Sequence, residues 1–262
     1  MTVPFVKMHG AGNDFVMVDD REGRLPSDDS DFVRRLANRP DGVGCEGVIF
    51  VRSSDRLDFA MSFRNPDGSR ADLCGNGARC VAAYALEIGA AKSRRMRFET
   101  PAGDVSAEVL ADGGVTVGMP EPRDLREGFV NSGVPHRIVP VDDLDAVDVA
   151  GEGRRIRFSQ EFAPCGTNVD FVRWTGPCSL SIRTYERGVE AETFACGTGS
   201  VAAALVGVAQ HGLAFPVKVR TACGYVLSVD GSWDGVRFSN VTLTGPVKRV
   251  FDGAIAIDWP RD

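Results

Sequence analysis

The sequence predicts an α+β protein of two pseudo-symmetric domains, each a curved, mostly antiparallel sheet wrapped around one buried central helix. Three observations carry that reading. DLCGNGARCVAAYAL at 72–86 and FACGTGSVAAALVGV at 194–208 each set a cysteine before Gly-x-Gly and an apolar helix. GNDFV at 12–16 is echoed by TNVDFV at 167–172, and TPAGDV at 100–105 by TACGYV at 221–226, in the same order in both halves. Short alternating strand-like runs outnumber helical ones throughout.

In the first half, strands are expected at 15–20, 47–52, 57–64 (the alternating LDFAMSFR), 96–100 and 115–119. A helix is expected at 27–39, capped by Ser27 or Asp28, amphipathic, and ending near Pro40. The helix from Gly77 to Ile88 is apolar on all sides, so it is expected to be enclosed. MPEPRD at 119–124 is the expected hinge, because its prolines continue neither a helix nor a ladder. The second half repeats the plan with strands at 171–174, 179–185, 217–221, 225–230 and 236–240, and an apolar helix from Ser200 to Ala209. The domains are accordingly drawn at 1–119 and 120–249.

A chain of 262 residues holds two cores of ordinary size. A formal charge of −6 with arginines scattered among acids excludes the clustered basic stripe of a nucleic-acid surface. The N-terminus is too polar for a signal peptide and no run approaches a membrane span, so a cytoplasmic protein without membrane partners is expected. Seven cysteines are an odd number for a disulfide framework. No CxxC pair exists and His9, His136 and His211 are scattered, which argues against a metal site. No lysine sits in a setting for a pyridoxal Schiff base, and no cofactor is expected.

The repeated motif carries the chemistry. A cysteine at a helix start sits among unpaired N–H groups and the positive end of the helix dipole, which is expected to lower the pKa of Cys74 and Cys196. The same N–H groups, from Gly75, Asn76 and Gly77 and from Gly197, Thr198 and Gly199, suit a carboxylate. Two like thiols on opposite faces of a carbon beside that carboxylate fit racemisation or epimerisation: one removes the α-proton and the other returns one. The helix starts would stabilise the enolate-like charge. Cys45, Cys80, Cys165, Cys178 and Cys223 read as inert small hydrophobes. A lone His136 is most simply a loop histidine, and Asn13 and Asn168 are simple turn formers unless their pairing across the repeat is functional.

HGAGNDF (9–15), NPDGSRADLCGNGARC (65–80), VPHRIVPVDDLDAVD (134–148), GTNVDFV (166–172) and ERGVEAETFACGTG (186–199) together resemble the diaminopimelate epimerase family over nearly the whole length. That resemblance implies a cofactor-independent homodimer of lysine and peptidoglycan precursor synthesis, in which the C-terminal segment 250–262, with its strand near 254–257, returns to the first domain. It would convert LL-2,6-diaminopimelate to the meso form, with Cys74 and Cys196 as the two bases in a cleft between similar domains. It implies that Gly75, Asn76, Gly197 and Thr198 hold the reacting carboxylate. Asn13, Asn65, Asn168 and Arg187 would serve the distal amino-acid end and Glu186 the reacting ammonium, while His136 and Glu186 would tune the thiols. The chain departs from the pattern at Val134, where many members have Asn, and at Gly47, where some have Gln. The segment between Arg187 and Cys196 is one residue longer than the common form. A racemase of the same fold acting on histidine or a proline derivative stays open. So does a thiol redox or metal-binding module.

Overall fold

The computed structural model describes residues 1–259, so the last three positions of the expected segment 250–262 lie outside the described residues. The chain divides into two compact units, residues 1–117 with 246 onward, and 118–245.

In the first unit, β1 (Thr2–Gly10) turns back into β2 (Asn13–Asp19), which runs parallel to β3 (Gly47–Arg52) after α1 (Ser30–Ala37). Next come β4 (Phe59–Arg64), the two-residue β5 (Arg70–Ala71), α2 (Gly75–Glu87), and the meander β6 (Arg95–Thr100), β7 (Gly103–Val109) and β8 (Val115–Gly118). Antiparallel pairings dominate, as expected for the fold class. Helix α2 packs against β1, β2, β3 and β7, and it is buried from Gly75 through Ala82. Outside this sheet, Phe32, Val33 and Leu36 of α1 lie on Val16, Val18, Val48 and Phe50.

The second unit repeats the order. β9 (Arg123–Arg126), β10 (Phe129–Asn131) and β11 (Pro135–Pro140) are followed by α3 (Val149–Arg157). β12 (Asn168–Gly176), β13 (Ser179–Glu186), β14 (Ala191–Thr193), α4 (Gly197–His211), β15 (Val217–Arg220), β16 (Val226–Trp233) and β17 (Phe238–Gly245) complete it. β11 and β12 are parallel, as β2 and β3 are. β13 pairs parallel with β15 as β4 does with β6. Helix α4 packs against β10 to β13 and β15 to β17, while α3 covers β12 and β13 from outside. The last strand, β18 (Val247–Ala256), pairs antiparallel with β1 in the first unit.

Several expectations are corrected. Helix α1 begins three residues late, with Asp29 as its cap, because the two nearer candidates are engaged elsewhere. Ser27 donates to Asp20 (2.6 Å), and the Asp28 carboxylate pairs with Arg52, Arg64 and Arg70. Asp29 accepts instead from Asp31 N–H (2.8 Å) and Phe32 N–H (3.3 Å). Both buried helices start earlier than their apolar runs, at the glycine directly after each cysteine; α4 ends on Gly212 at φ 71°, a left-handed turn that suits glycine. β18 is ten residues long rather than a short run near 254–257, and its exposed residues explain why apolar content conceals it. Cys165, Cys178 and Cys223 are exposed, not core residues; Cys45 and Cys80 are buried, with thiols pushed up to about 11 and about 12 by burial.

The repeat itself is realigned. Val48 and Phe50 of β3 correspond to Val169 and Phe171 of β12, so TNVDFV matches the strand of GVIFV, not that of GNDFV. Phe15 pairs with Gly47 and His136 pairs with Asn168, which makes GVPH at 133–136 the counterpart of GNDF at 12–15. Asn13 therefore corresponds to Val134, and Asn168 to Gly47. The expected Asn13–Asn168 equivalence does not hold, whereas Cys74 and Cys196 cap equivalent helices.

Candidate active site

Each Cys-Gly-x-Gly turn is dictated by what lies under it. A Cβ on Gly77 would stand 2.9 Å from Ile49 of β3. At the equivalent Gly199 it would strike the Asp170 carboxylate of β12. The last residue of each turn is glycine because a strand side chain fills that space, and the helix N-terminus is thereby held against the sheet.

In the first unit Cys74 is the N-cap of α2, in extended conformation at φ −127°, half-buried and without a side-chain cap hydrogen bond. Its thiol donates to Asn13 Oδ1 at 3.7 Å. Asn13 in turn donates to Glu46, whose carboxyl is raised above the usual range by burial and by the nearby Asp14. Asn76 is buried and accepts from the Arg79 guanidinium at 2.7 Å. Asn65 is held within its own turn. It sits in the Asn-Pro-Asp-Gly turn, and its amide donates to Ser69 Oγ at 3.0 Å.

In the second unit the cluster is denser. His136 is fully buried, its Nδ1 lying 2.7 Å from Asp170 Oδ2 and its Nε2 2.9 Å from Thr198 Oγ1. Because a carboxylate only accepts, Asp170 holds a proton on Nδ1, and the Thr198 hydroxyl lies between Nε2 and the Cys196 sulfur. Thr198 Oγ1 lies 3.4 Å from Cys196 Sγ, and the other Asp170 oxygen accepts from Thr184 at 2.7 Å. A continuous chain of Thr184, Asp170, His136, Thr198 and Cys196 results. Cys196 Sγ also accepts Gly199 N–H at 3.4 Å.

Asn168 has both ends of its amide engaged. It donates to the Pro135 carbonyl (3.1 Å) and accepts the Arg187 backbone N–H (2.8 Å), so it fixes where Arg187 leaves the sheet. The Arg187 side chain reaches the Cys165 carbonyl at 3.4 Å, and Glu186 accepts from Thr193 at 2.9 Å. Val134 contributes no polar group to this cluster.

The electrostatics at Cys196 oppose one expectation. Its thiol is pushed well above the ordinary range by burial, then by the negative charges of Glu186 and Asp170, and the hydrogen bonds from Thr198 and Gly199 only partly offset this. A helix start favours a thiolate by about 1 kcal/mol at most sites, and burial beside two carboxylates outweighs it.

Among the residues of these clusters that escape the sequence reading are Asp170 and Arg79. Each had a signal. A carboxylate in the middle of the apolar strand NVDFV, and an arginine in a helix apolar on all sides, have no solvent to face.

A family profile described as diaminopimelate epimerase matches residues 5–124 and 128–250. The chain belongs to the diaminopimelate epimerase family. It is 43% identical to the diaminopimelate epimerase of Aquifex aeolicus, with 96% of this chain and 97% of that one covered. Identity to the enzyme of the same description from Chlorobaculum tepidum is 40%, covering 95% and 100%. Among solved structures, a Bacillus anthracis phenazine biosynthesis protein of the PhzF family superposes with a TM-score of 0.75 at 17% identity, covering 98% of this chain and all of that one. A hydroxyproline epimerase from Agrobacterium vitis gives 0.68 at 20% identity, covering 99% and 94%. At these identities the two structures establish the fold of this epimerase, not its substrate.

Proposed function

We propose that this epimerase interconverts LL- and meso-2,6-diaminopimelate by proton transfer at the α-carbon, with Cys74 and Cys196 as the paired acid and base. The observation that carries the proposal is that topologically equivalent helices, α2 and α4, are each capped by a cysteine preceding Gly-x-Gly, in a chain of this family. A thiolate removes the α-proton on one face and the other thiol delivers its proton on the opposite face, leaving the first cysteine protonated and the second ionised. The reverse reaction uses the same groups with exchanged states. Side chains and backbone supply all of this chemistry, without a cofactor.

In this reading the N–H groups at the helix starts, of Gly75 and Asn76 and of Gly197 and Thr198, hold the reacting carboxylate and the charge that develops on it. Glu186 takes the ammonium beside the reacting carbon. Arg187, Asn65 and Asn13 serve the distal amino-acid end, and Asn168 sets Arg187 in place through its backbone. His136, held by Asp170, adjusts the proton on Cys196 through Thr198. A homodimer in the cytoplasm belongs to the same proposal, and light scattering checks the dimer. No helix among the described residues is long and apolar enough to cross a membrane.

The test is LL-diaminopimelate in deuterated water, with stereoisomer and isotope read together. The early meso product is expected to carry one solvent deuteron while unreacted LL substrate stays unlabelled, because each thiol works on one face. Early exchange into the LL isomer without inversion would mean a single base. Turnover of histidine or proline derivatives in preference to diaminopimelate would favour the racemase reading.

A further inference from the structure

Arg79 is the largest fully buried side chain among the described residues and lies one helical turn inside the capped start of α2. Its Nη2 donates to Asn76 Oδ1 at 2.7 Å and its Nη1 to the Gly75 carbonyl at 3.3 Å, while its buried Nε has no hydrogen-bond partner. No carboxylate among the described residues forms an ion pair with it. The titratable groups whose charge acts on it are the thiols of Cys80 and Cys74. Burying a guanidinium without a counter-charge is costly, and a guanidinium does not escape by losing its proton. Such a cation is retained where an anion outside the fold's own carboxylates completes it.

The second helix start is built oppositely. Five residues after Cys196 stands Val201, where Arg79 stands five after Cys74, and the charges acting on Cys196 are the carboxylates of Glu186 and Asp170. One helix start is thus backed by a cation and the other by anions.

We propose that Arg79 is a positioning residue for the Cys74 half of the site: it locks the Asn76 amide and sets a permanent positive charge behind the turn, and its counter-ions are the Cys74 thiolate and the substrate's carboxylate. This rests on the paired-thiol reading above. It assigns the two cysteines different acidities: Cys74, whose thiol gives its proton to Asn13 Oδ1 here, is the one that ionises first, and Cys196 is the one that holds its proton. The Asn13 amide accepts from the Cys74 thiol, Glu46 stands behind Asn13, and Lys7 pairs with Asp14, the neighbour of Asn13 in β2. None of these replaces a charge inside α2 itself.

The test is the pH dependence of alkylation by iodoacetamide at each cysteine, resolved by peptide mass spectrometry on the whole enzyme, in wild type, Arg79→Met and Arg79→Lys. In wild type, the Cys74 midpoint is expected below that of glutathione measured alongside, and the Cys196 midpoint above it. Arg79→Met is expected to raise the Cys74 midpoint by about one pH unit or more and leave that of Cys196 in place, with kcat/KM on diaminopimelate down at least tenfold. Arg79→Lys is expected to fall between, since it keeps the charge and loses the fork. A wild-type Cys74 midpoint at or above that of glutathione overturns the proposal, and so does a folded Arg79→Met whose Cys74 midpoint is unmoved. The wild-type comparison stands even where Arg79→Met does not fold. Failure to turn over diaminopimelate with the alkylation shifts intact would sink the substrate reading and leave the role of Arg79 supported.

Discussion

At the residue scale, what distinguishes the two thiols is their surroundings rather than their motif. Both cap a helix before Gly-x-Gly, yet Cys196 is buried against Glu186 and Asp170, and its thiol is held in the protonated form well beyond the ordinary range. Glu186 is the first of the charges responsible, so its removal has a definite sign. With glutamine at 186 the thiolate of Cys196 is less disfavoured, and its proton is lost at lower pH. A step that needs Cys196 as a thiol is therefore expected to fail earlier on the alkaline side in Glu186→Gln. The measurement is the alkaline limb of kcat/KM against pH, with alkylation of Cys196 followed on the same scale. A limb that stays in place, or moves upward, would show that Glu186 does not govern this proton. Asp170 and His136 remain in that variant, so the displacement reports Glu186 alone.

At the element scale, each buried helix is fastened by a glycine beneath it and the outer helices by side-chain caps. Gly199→Ala is expected to cost more than Gly77→Ala. The new methyl meets a hydrogen-bonded carboxylate at Asp170 in the first case and the end of a flexible isoleucine in the second. Overpacking of this kind costs about 1 to 3 kcal/mol. Thermal unfolding of the two variants orders them, and equal losses would mean that Asp170 moves aside freely. The same elements show what sequence pattern reveals. Strands β3, β4 and β13 are plain in their alternation or apolar runs, and the fold class follows from them. β1 is missed because Pro4 interrupts it. The structure tolerates that proline because β1 pairs with β2 only from Val6 onward, leaving one neighbour at Pro4. α3 is missed because Gly151 and Gly153 are poor helix formers. Gly153 is nonetheless required, since Tyr185 packs where its side chain would be, and Asp148 caps the helix through Gly151 N–H at 2.9 Å. In the candidate site, the two helix-capping cysteines are legible from duplication, whereas Asp170 and Arg79 are single residues, each with a different partner in the other half, and no repeat points to them.

At the scale of the whole molecule, the chain closes its first unit with its last strand. β18 pairs with β1 from Val247 to Ala256 with one irregularity, between Lys7 and Met8, and β1 in turn pairs with β2, which carries Asn13. The ends are tied a second time by Ile257, whose N–H donates to the Met1 carbonyl at 2.8 Å and whose carbonyl accepts from the N-terminal ammonium at 2.6 Å. Removing residues 247–262 would leave one edge of β1 unpaired along nearly its full length and expose Val3 and Phe5, both buried in the intact protein. Unit two contains none of these contacts, because β9 to β17 are complete within residues 118–245. Truncation is therefore expected to loosen the molecule unevenly: amides of β1 and β2 lose protection from hydrogen exchange, and those of β12 and β13 keep theirs. Epimerisation is expected to be lost with the first group, since Asn13 at the start of β2 holds the Cys74 thiol. Uniform loss of protection across β1, β2, β12 and β13 would show instead that the two units unfold as one cooperative body.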